Sequence, residues 1–166
     1  MKTLIFDASS LILLAKIDLL KLIAQQVKIV VPVEIQKEAT VKEELLDTQY
    51  IQHLIHEQTI HVTSSPQKKL VPKLETDFKL GTGEAACIIL GLEHRWIVVT
   101  EDIRAIKTCK VLGIPFTSAL NLLIHYHDKK LLTKEMTLAK LEKLKEYGWY
   151  SSTLIERIAK TIKEGE

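Results

Sequence analysis

The feature that most constrains the fold is an alternation of short apolar runs with longer segments of helical periodicity. An apolar run such as Ile97-Val98-Val99 is typical of a parallel strand that is covered on both faces. The order of the elements predicts an α/β fold, a three-layer α/β/α sandwich around a mostly parallel sheet. Strands are predicted at residues 2–6, 28–31, 59–63, 96–100 and 114–117.

Helical spacing of aliphatic residues predicts one helix at 11–24, a second that runs through Glu38, and further helices toward the C-terminus. The segment 64–80 contains two prolines and several charges, and it is predicted to be an exposed loop. No linker or repeat divides the chain. Residues 1–166 are therefore predicted to form a single domain, with the C-terminal helices (about 134–163) packed on it or appended to it.

The remaining helices are predicted at residues 43–57, 84–92, 102–112, 118–128, 134–146 and 151–163. The helix at 43–57 is expected to carry its apolar residues on one stripe. That stripe is predicted to contain Leu45, Leu46, Tyr50, Leu54 and Ile55.

The composition excludes some classes of protein. Hydrophobic residues make up 46% of the chain, which is too many for a disordered protein, and the net charge of +2 does not by itself indicate a nucleic-acid binder. No apolar stretch approaches the ~20 residues that span a membrane, and Asp7 interrupts the apolar start before a secretory signal can form. We expect a cytoplasmic protein with no membrane association, and reduced, buried cysteines at Cys87 and Cys109.

Four acidic residues lie at the edges of the predicted elements. Asp7 follows the first strand, and Asp102 follows the strand at 96–100. Both are therefore expected at the C-terminal edge of the sheet, where open α/β sheets bind their ligands. Glu38 and Glu84 fall on predicted helices that could close over the same edge.

Each acid has two interpretations when the residues are considered alone. Asp7 and Asp102 are suitable N-caps for the helices that follow them, and Glu84 would suit a helix N-terminus. Glu38 lies late in its helix, where the macrodipole disfavours an acid. If the four carboxylates share one pocket, they repel each other unless a cation lies between them, and Mg²⁺ or Mn²⁺ is the natural candidate.

The order and spacing of several segments resemble the PIN-domain family of metal-dependent ribonucleases. The resemblance covers most of residues 2–128, and the tail is similar to a prokaryotic, toxin-like subfamily. The segments that carry it are Ile5-Phe6-Asp7-Ala8-Ser9, Val31 to Glu38, Gly83-Glu84-Ala85-Ala86, Val98-Val99-Thr100-Glu101-Asp102 and, in the tail, Gly148-Trp149-Tyr150-Ser151.

The resemblance implies that the four acids (Asp7, Glu38, Glu84 and Asp102) are both the catalytic residues and the metal ligands. It also implies that Ser9 supports the site through its hydroxyl and that Glu101 is a candidate fifth acid. Similar members often carry an arginine where this chain has Ile106. Arg104 and Lys107 are the candidates to make that phosphate contact instead.

The implied activity is that of a Mg²⁺-dependent endoribonuclease, which hydrolyses RNA phosphodiester bonds with a metal-activated water. The resemblance further implies a toxin of a toxin–antitoxin pair, with RNA as substrate, an antitoxin protein as partner and a homodimer as assembly. Two alternatives stay open. One is a non-catalytic PIN-like module that binds RNA or protein, and the other is a metal-dependent small-molecule phosphohydrolase.

The segment Tyr147-Gly148-Trp149-Tyr150 joins the last two predicted helices. It is predicted to be a packed corner, although an exposed version would suit a partner protein. Aromatic residues are few, and they are not interleaved with basic residues in the sequence. Recognition of RNA is therefore expected to depend on shape and backbone more than on base stacking.

Overall fold

The computed structural model describes residues 1–64 and 67–165. Within them, five strands form one sheet in the order β3-β2-β1-β4-β5, and every pairing is parallel. Helices cover the sheet, so the predicted α/β fold is confirmed. The strands are β1 (Thr3–Phe6), β2 (Lys28–Pro32), β3 (Ile60–Thr63), β4 (Ile97–Val99) and β5 (Phe116–Thr117).

The helices lie close to their predicted positions, with two exceptions described below. They are α1 (Ala8–Lys16), α2 (Leu20–Gln26), α3 (Val33–Ala39), α4 (Leu46–His56), α5 (Val71–Phe78), α6 (Thr82–His94), α7 (Ile103–Leu112), α8 (Ala119–Asp128), α9 (Lys134–Tyr147) and α10 (Ser152–Glu164), with a 3₁₀ turn at Lys68–Leu70. None of the helices in the described part of the chain is both long and apolar enough to cross a membrane.

The strand order creates a switch point between β1 and β4. The chain builds β2 and β3 on one side of β1, and it then crosses to the other side to build β4 and β5. Phe6 pairs with Val99, and the Asp7 N–H donates to the Val99 carbonyl at 3.2 Å. The C-terminal ends of these two strands therefore lie side by side, at the place where open α/β sheets bind ligands.

The central strand is buried because helices pack against both of its faces. Ile5 and Phe6 have no exposed surface. The Sγ atom of Cys87, on α6, donates to the Phe6 carbonyl at 3.2 Å. Cys87 and Cys109 are both buried and not disulfide-bonded, as expected. The end of β1 is thus held on a rigid support.

The prediction of a single helix at 11–24 is wrong, because the helix is interrupted between α1 and α2. Asp18 adopts a left-handed conformation with φ of 53°. The ammonium of Lys140, on α9, donates to the carbonyls of Ile17 at 2.7 Å and Asp18 at 2.9 Å. These bonds satisfy carbonyls that the broken helix leaves free. The break allows both Ile17 and Leu19 to be fully buried.

The prediction of a loop at 64–80 is also wrong for most of its length, because residues 68–78 are helical. Residues 65 and 66 of that segment lie outside the described residues. Helix α5 begins at Val71, and Pro72 falls in its first turn, where proline is tolerated because that N–H has no helical partner. Val71 and Leu80 are buried at its two ends.

The apolar stripe predicted for the helix at 43–57 is only partly correct. Leu54 is fully buried, but Leu46 is 83% exposed at the start of α4. Thr48 and Ile51 face the core with Leu54 instead, at i, i+3 and i+6, because α4 packs against α1 on that side.

The three C-terminal helices form a connected group. α9 packs on α8 and α1, and α10 packs on α9. The Thr137 hydroxyl lies 3.0 Å from His127 Nδ1, which connects α9 to α8. The assignment of residues 1–166 to one domain stays a prediction.

Candidate active site

Asp7 is the most buried acid at the switch point, with only 3% of its surface exposed. Its Oδ1 accepts a hydrogen bond from the Ser10 N–H at 2.8 Å and caps α1. Its Oδ2 is buried and has no hydrogen-bond partner of normal geometry among the described residues. Burial raises the pKa of Asp7 to about 6, while the nearby hydroxyls of Thr100 and Ser10 lower it in part. A buried carboxylate oxygen without such a partner calls for a water, a proton or a cation.

Thr100 links the two strand-end acids and was not among the predicted site residues. It is fully buried at the end of β4. Its Oγ1 accepts from the Asp102 N–H at 3.1 Å, and its hydroxyl is one of the groups that lower the pKa of Asp7. The only signal in the sequence was a hydroxyl residue at a strand end directly before two acids, which many strand ends share.

Asp102 caps α7 as Asp7 caps α1. Its Oδ1 accepts from the Ala105 N–H at 2.9 Å. The cap interpretation of both aspartates is therefore correct, and it does not exclude a second role. A carboxylate has two oxygens, so one can cap a helix while the other faces a ligand.

Glu84 lies in the first turn of α6, where its Oε2 accepts from the Gly81 N–H at 3.0 Å. Burial raises the pKa of Glu84, and the hydrogen bond from the Gly81 N–H lowers it in part. The negative charges of Asp102, Asp7 and Glu38 raise this pKa further. The four acids therefore share one electrostatic environment. The charges of the other three acids make Glu84 harder to ionise.

Glu38 reaches this environment because α3 and α6 approach each other closely at Gly83. A Cβ atom at Gly83 would lie 2.4 Å from Ile35 Cδ1 and 3.1 Å from Glu38 Oε2. A side chain larger than that of glycine would force the buried end of Ile35, and the Glu38 carboxylate beside it, to move. Glu38 itself is exposed at the end of its helix. Its position next to Glu84 depends on packing rather than on local sequence.

The arrangement fits a divalent cation in its chemistry. Carboxylate oxygens are the ligands that Mg²⁺ and Mn²⁺ prefer, and among the described residues no hydrogen bond of normal geometry occupies Asp7 Oδ2. Within residues 1–64 and 67–165, however, no three acidic, histidine or cysteine side chains converge closely enough to form a finished metal cage. The acids line one edge of the sheet, and their side chains would have to move closer together to coordinate an ion there.

Ser9 and Glu101 lie beside the acids, and the negative charge of Glu101 adds to the rise in the pKa of Asp7. Ser9 is exposed, whereas the hydroxyl that lies near Asp7 belongs to Ser10. Glu101 Oε1 accepts from the Ala119 N–H at 2.6 Å, and Oε2 accepts from the Tyr150 hydroxyl. Burial raises the pKa of Glu101, although these two donors offset part of the increase. Glu101 therefore connects the edge of the sheet to the tail.

The two candidate phosphate contacts lie on α7, the helix that Asp102 caps. The Arg104 guanidinium donates to the Lys79 carbonyl at 3.2 Å, and this bond connects α7 to the end of α5. Lys107 is exposed one turn further along the helix, and Ile106 between them is half-buried. Both cations are thus on the helix that the site residue Asp102 caps.

Comparison with known proteins gives the family and the fold. The family model described as "DUF3368: PIN domain" matches residues 3–164. The fold is similar to the crystal structure of PAE2754 from Pyrobaculum aerophilum, with a TM-score of 0.56 and 16% sequence identity over 76% of this chain and 98% of that chain. No curated protein sequence matches. At this identity the structural likeness shows the fold alone.

Proposed function

This chain belongs to the DUF3368 family of PIN domains, and from that premise we propose that it is a Mg²⁺-dependent endoribonuclease. The observation that carries the proposal is the buried Oδ2 of Asp7, which has no partner of normal geometry among the described residues. It lies at the switch point of the sheet, in the same electrostatic environment as Glu38, Glu84 and Asp102. A set of mutually repelling carboxylates raises the free energy of the folded protein unless a cation compensates them.

The residues of this chain would divide the work as follows. Asp7, Asp102, Glu84 and Glu38 would hold one or two divalent cations, which supply Lewis-acid polarisation of the scissile phosphate and make water more acidic. The Thr100 hydroxyl favours the ionised form of Asp7 because it stabilises the charged carboxylate. The helix caps fix the rotamers of Asp7 and Asp102 before a metal binds.

Arg104 and Lys107 are proposed to contact the phosphate backbone on one side of the acids. Arg104 is anchored at Lys79 through one of its nitrogens, and the remaining guanidinium N–H groups can donate to phosphate oxygens. Positive charge next to an acidic metal site guides a polyanion to a pocket that would otherwise repel it.

The proposal extends to a toxin of a toxin–antitoxin pair, with an antitoxin protein that covers the acids and a homodimer as the assembly. The support for these points is the resemblance of the tail, Gly148 to Ser151, to a toxin-like subfamily. Induced expression in bacterial cells tests the toxin role. Induction of the chain alone should arrest growth, and induction of Asp7→Asn should not.

The enzymatic test compares wild type with Asp7→Asn on single-stranded RNA in Mg²⁺, in Mn²⁺ and in EDTA. We expect wild type to cleave RNA only when a metal is present. The cleavage rate of the variant should fall by about 100-fold or more, because loss of a metal ligand should cost at least as much as loss of a group that only supports a ligand. The matched control is Asp77→Asn, which removes an exposed acid on α5 and should leave the rate unchanged.

Two outcomes would overturn the proposal. Full Mg²⁺-dependent cleavage by Asp7→Asn would show that the acids do not carry the reaction. Hydrolysis of small phosphate esters but not of RNA would indicate a phosphohydrolase. Calorimetric titration with Mg²⁺ completes the test, because a binding module without a metal site would take up no ion.

A further inference from the structure

The corner between α9 and α10 exposes aromatic surface beside the acids. Trp149 is 100% exposed and Tyr147 is 47% exposed. Both line a groove of about 450 Å³ together with Lys16 and Ile103. The prediction of a packed corner is therefore correct for Tyr150, which packs against the core, and wrong for Trp149. A fully exposed tryptophan is unusual on a folded surface, because indole is among the largest apolar side chains.

The corner is held rigidly in this position. The Tyr150 hydroxyl donates to Glu101 and accepts from the Leu120 N–H at 3.3 Å. Gly148 permits the turn, since a Cβ there would lie 2.7 Å from the Leu144 carbonyl. Trp149 stands between these two fixed residues. Its exposure is thus built into the fold, and little ordering of the backbone would be needed when a ligand binds.

The groove lies beside the acidic edge. Ser9 and Glu101 line its near end. Ser9 is two residues from Asp7, and Glu101 directly precedes Asp102. A chain that runs from the acids past Ser9 and Glu101 would enter the groove that the tail aromatics line. The groove is a natural extension of the site for a polymer rather than for a small ester.

The chemistry of the groove matches a nucleotide. The Lys16 ammonium lies 5.0 Å from the centre of the Tyr147 ring, so a cation and two aromatic side chains share one surface. A base stacks on an aromatic face, and the adjoining phosphate pairs with an ammonium. Lys16 favours a nucleic acid over a protein partner here, because a phosphate of a chain bound at the proposed metal site can also pair with this ammonium.

We propose that Trp149 and Tyr147, with Lys16, form a base-stacking subsite that holds one unpaired base of single-stranded RNA next to the scissile phosphate. This inference rests on the proposed endoribonuclease function. The subsite selects single strands, because a base inside a duplex cannot reach the ring faces. It gives base stacking a larger part than the expectation that recognition depends on shape and backbone more than on base stacking.

A binding experiment tests the subsite without any requirement for activity. The Asp7→Asn variant is combined with Trp96→Phe, so that Trp149 is the single tryptophan of the chain. Its fluorescence is measured during titration with a single-stranded RNA hexamer, and with an abasic hexamer of the same charge. We expect the hexamer with bases to quench the emission and the abasic hexamer to leave it unchanged, because stacking requires a base.

A kinetic experiment supplies the second measurement. Trp149→Ala should raise the KM for single-stranded RNA by about 10-fold, within the range that loss of one stacked base produces, with most of the effect in KM rather than kcat. Trp149→Phe should restore most of the affinity. Val111→Ala is the matched control, since Val111 is 72% exposed on α7, and it should behave as wild type.

The outcomes separate the subsite from the proposed function. Equal quenching by both hexamers, or a KM for Trp149→Ala within twofold of wild type, overturns the subsite while RNA cleavage by wild type still supports the nuclease. In that case a protein partner would be the better explanation for the exposed aromatic residues. Base-dependent quenching by a chain that cleaves no RNA would support the subsite and contradict the nuclease.

Discussion

Replacing Asp7 with asparagine should make the metal-free protein more stable at neutral pH. Burial raises the pKa of Asp7 from 3.8 to about 6, so the folded state disfavours the ionised side chain. A displacement of about 2 pH units corresponds to about 3 kcal/mol of unfolding free energy. Asparagine keeps the cap on α1, because its amide oxygen accepts from the Ser10 N–H as the carboxylate does.

The effect has a definite dependence on pH. The folded pKa of Asp7 lies above the unfolded one, so its contribution to stability is fully present below about pH 4 and is lost as the pH rises through about 6. Roughly two-thirds of that loss falls between about pH 4.5 and pH 7.5. The asparagine variant has no such titration. Its advantage over wild type therefore grows with pH and levels off above about pH 7.

Urea denaturation in EDTA at these two pH values measures the effect, with the exposed Asp77→Asn as control. Added Mg²⁺ should narrow the difference, since an ion that binds the folded wild type more tightly than Asp7→Asn stabilises wild type more. Reversing an advantage of about 3 kcal/mol would take free Mg²⁺ at roughly 200 times its Kd. If wild type in EDTA at pH 7.5 is as stable as Asp7→Asn, the inference that an uncompensated charge is buried at the switch point is refuted.

Three other substitutions test how the site is built. Gly83→Ala places a Cβ 2.4 Å from a buried side chain of α3 and 3.1 Å from Glu38 Oε2, so it should cost about 1–3 kcal/mol and weaken Mg²⁺ binding in calorimetry by displacing the Glu38 carboxylate. Thr100→Val removes the hydroxyl beside Asp7, so the pKa of Asp7 rises and the acidic limb of the pH–rate profile moves to higher pH. Tyr150→Phe deprives the mostly buried Glu101 of one donor, and it should cost about 1–3 kcal/mol in urea denaturation.

Each of these substitutions has a matched comparison. Gly91→Ala should destabilise the core, because its Cβ would lie 2.7 Å from a valine of β4, but it should leave Mg²⁺ affinity unchanged. Thr100→Ser keeps the hydroxyl and should keep the pH profile. Adding Glu101→Gln to Tyr150→Phe should recover part of the stability, since an amide is cheaper to bury than a carboxylate. Equal Mg²⁺ affinity in the two glycine variants would contradict the role given to the α3–α6 contact.

The sheet and most of its helices could be predicted because their signals are local. Each strand of a covered parallel sheet is apolar over its own few residues, and Gly113, with φ of 66°, ends α7 where a glycine is expected. The break at Asp18 could not be predicted in this way. The carbonyls it frees are satisfied by Lys140, more than 120 residues away, and no local pattern contains that partner.

The candidate site shows the same division. Asp7 and Asp102 were identifiable because parallel strands bring their C-terminal ends to one edge. The placement of Glu38 depends on the α3–α6 contact at Gly83. The expected role of Ser9 stays a prediction, and the hydroxyls that lie near Asp7 belong to Ser10 and Thr100. A difference of one residue turns a helical side chain by about 100°, and sequence spacing alone does not fix that rotation.

By itself, the sequence determined the layered α/β architecture, the two strand-end aspartates and the chemistry that four acids can support. Only the tertiary structure decided that Asp7 keeps one oxygen without a partner of normal geometry and that Lys16 meets the exposed aromatics of the tail. The reason is physical. Periodicity and capping depend on neighbours within a few residues, whereas burial, charge coupling and surface grooves depend on residues that only the folded chain brings together.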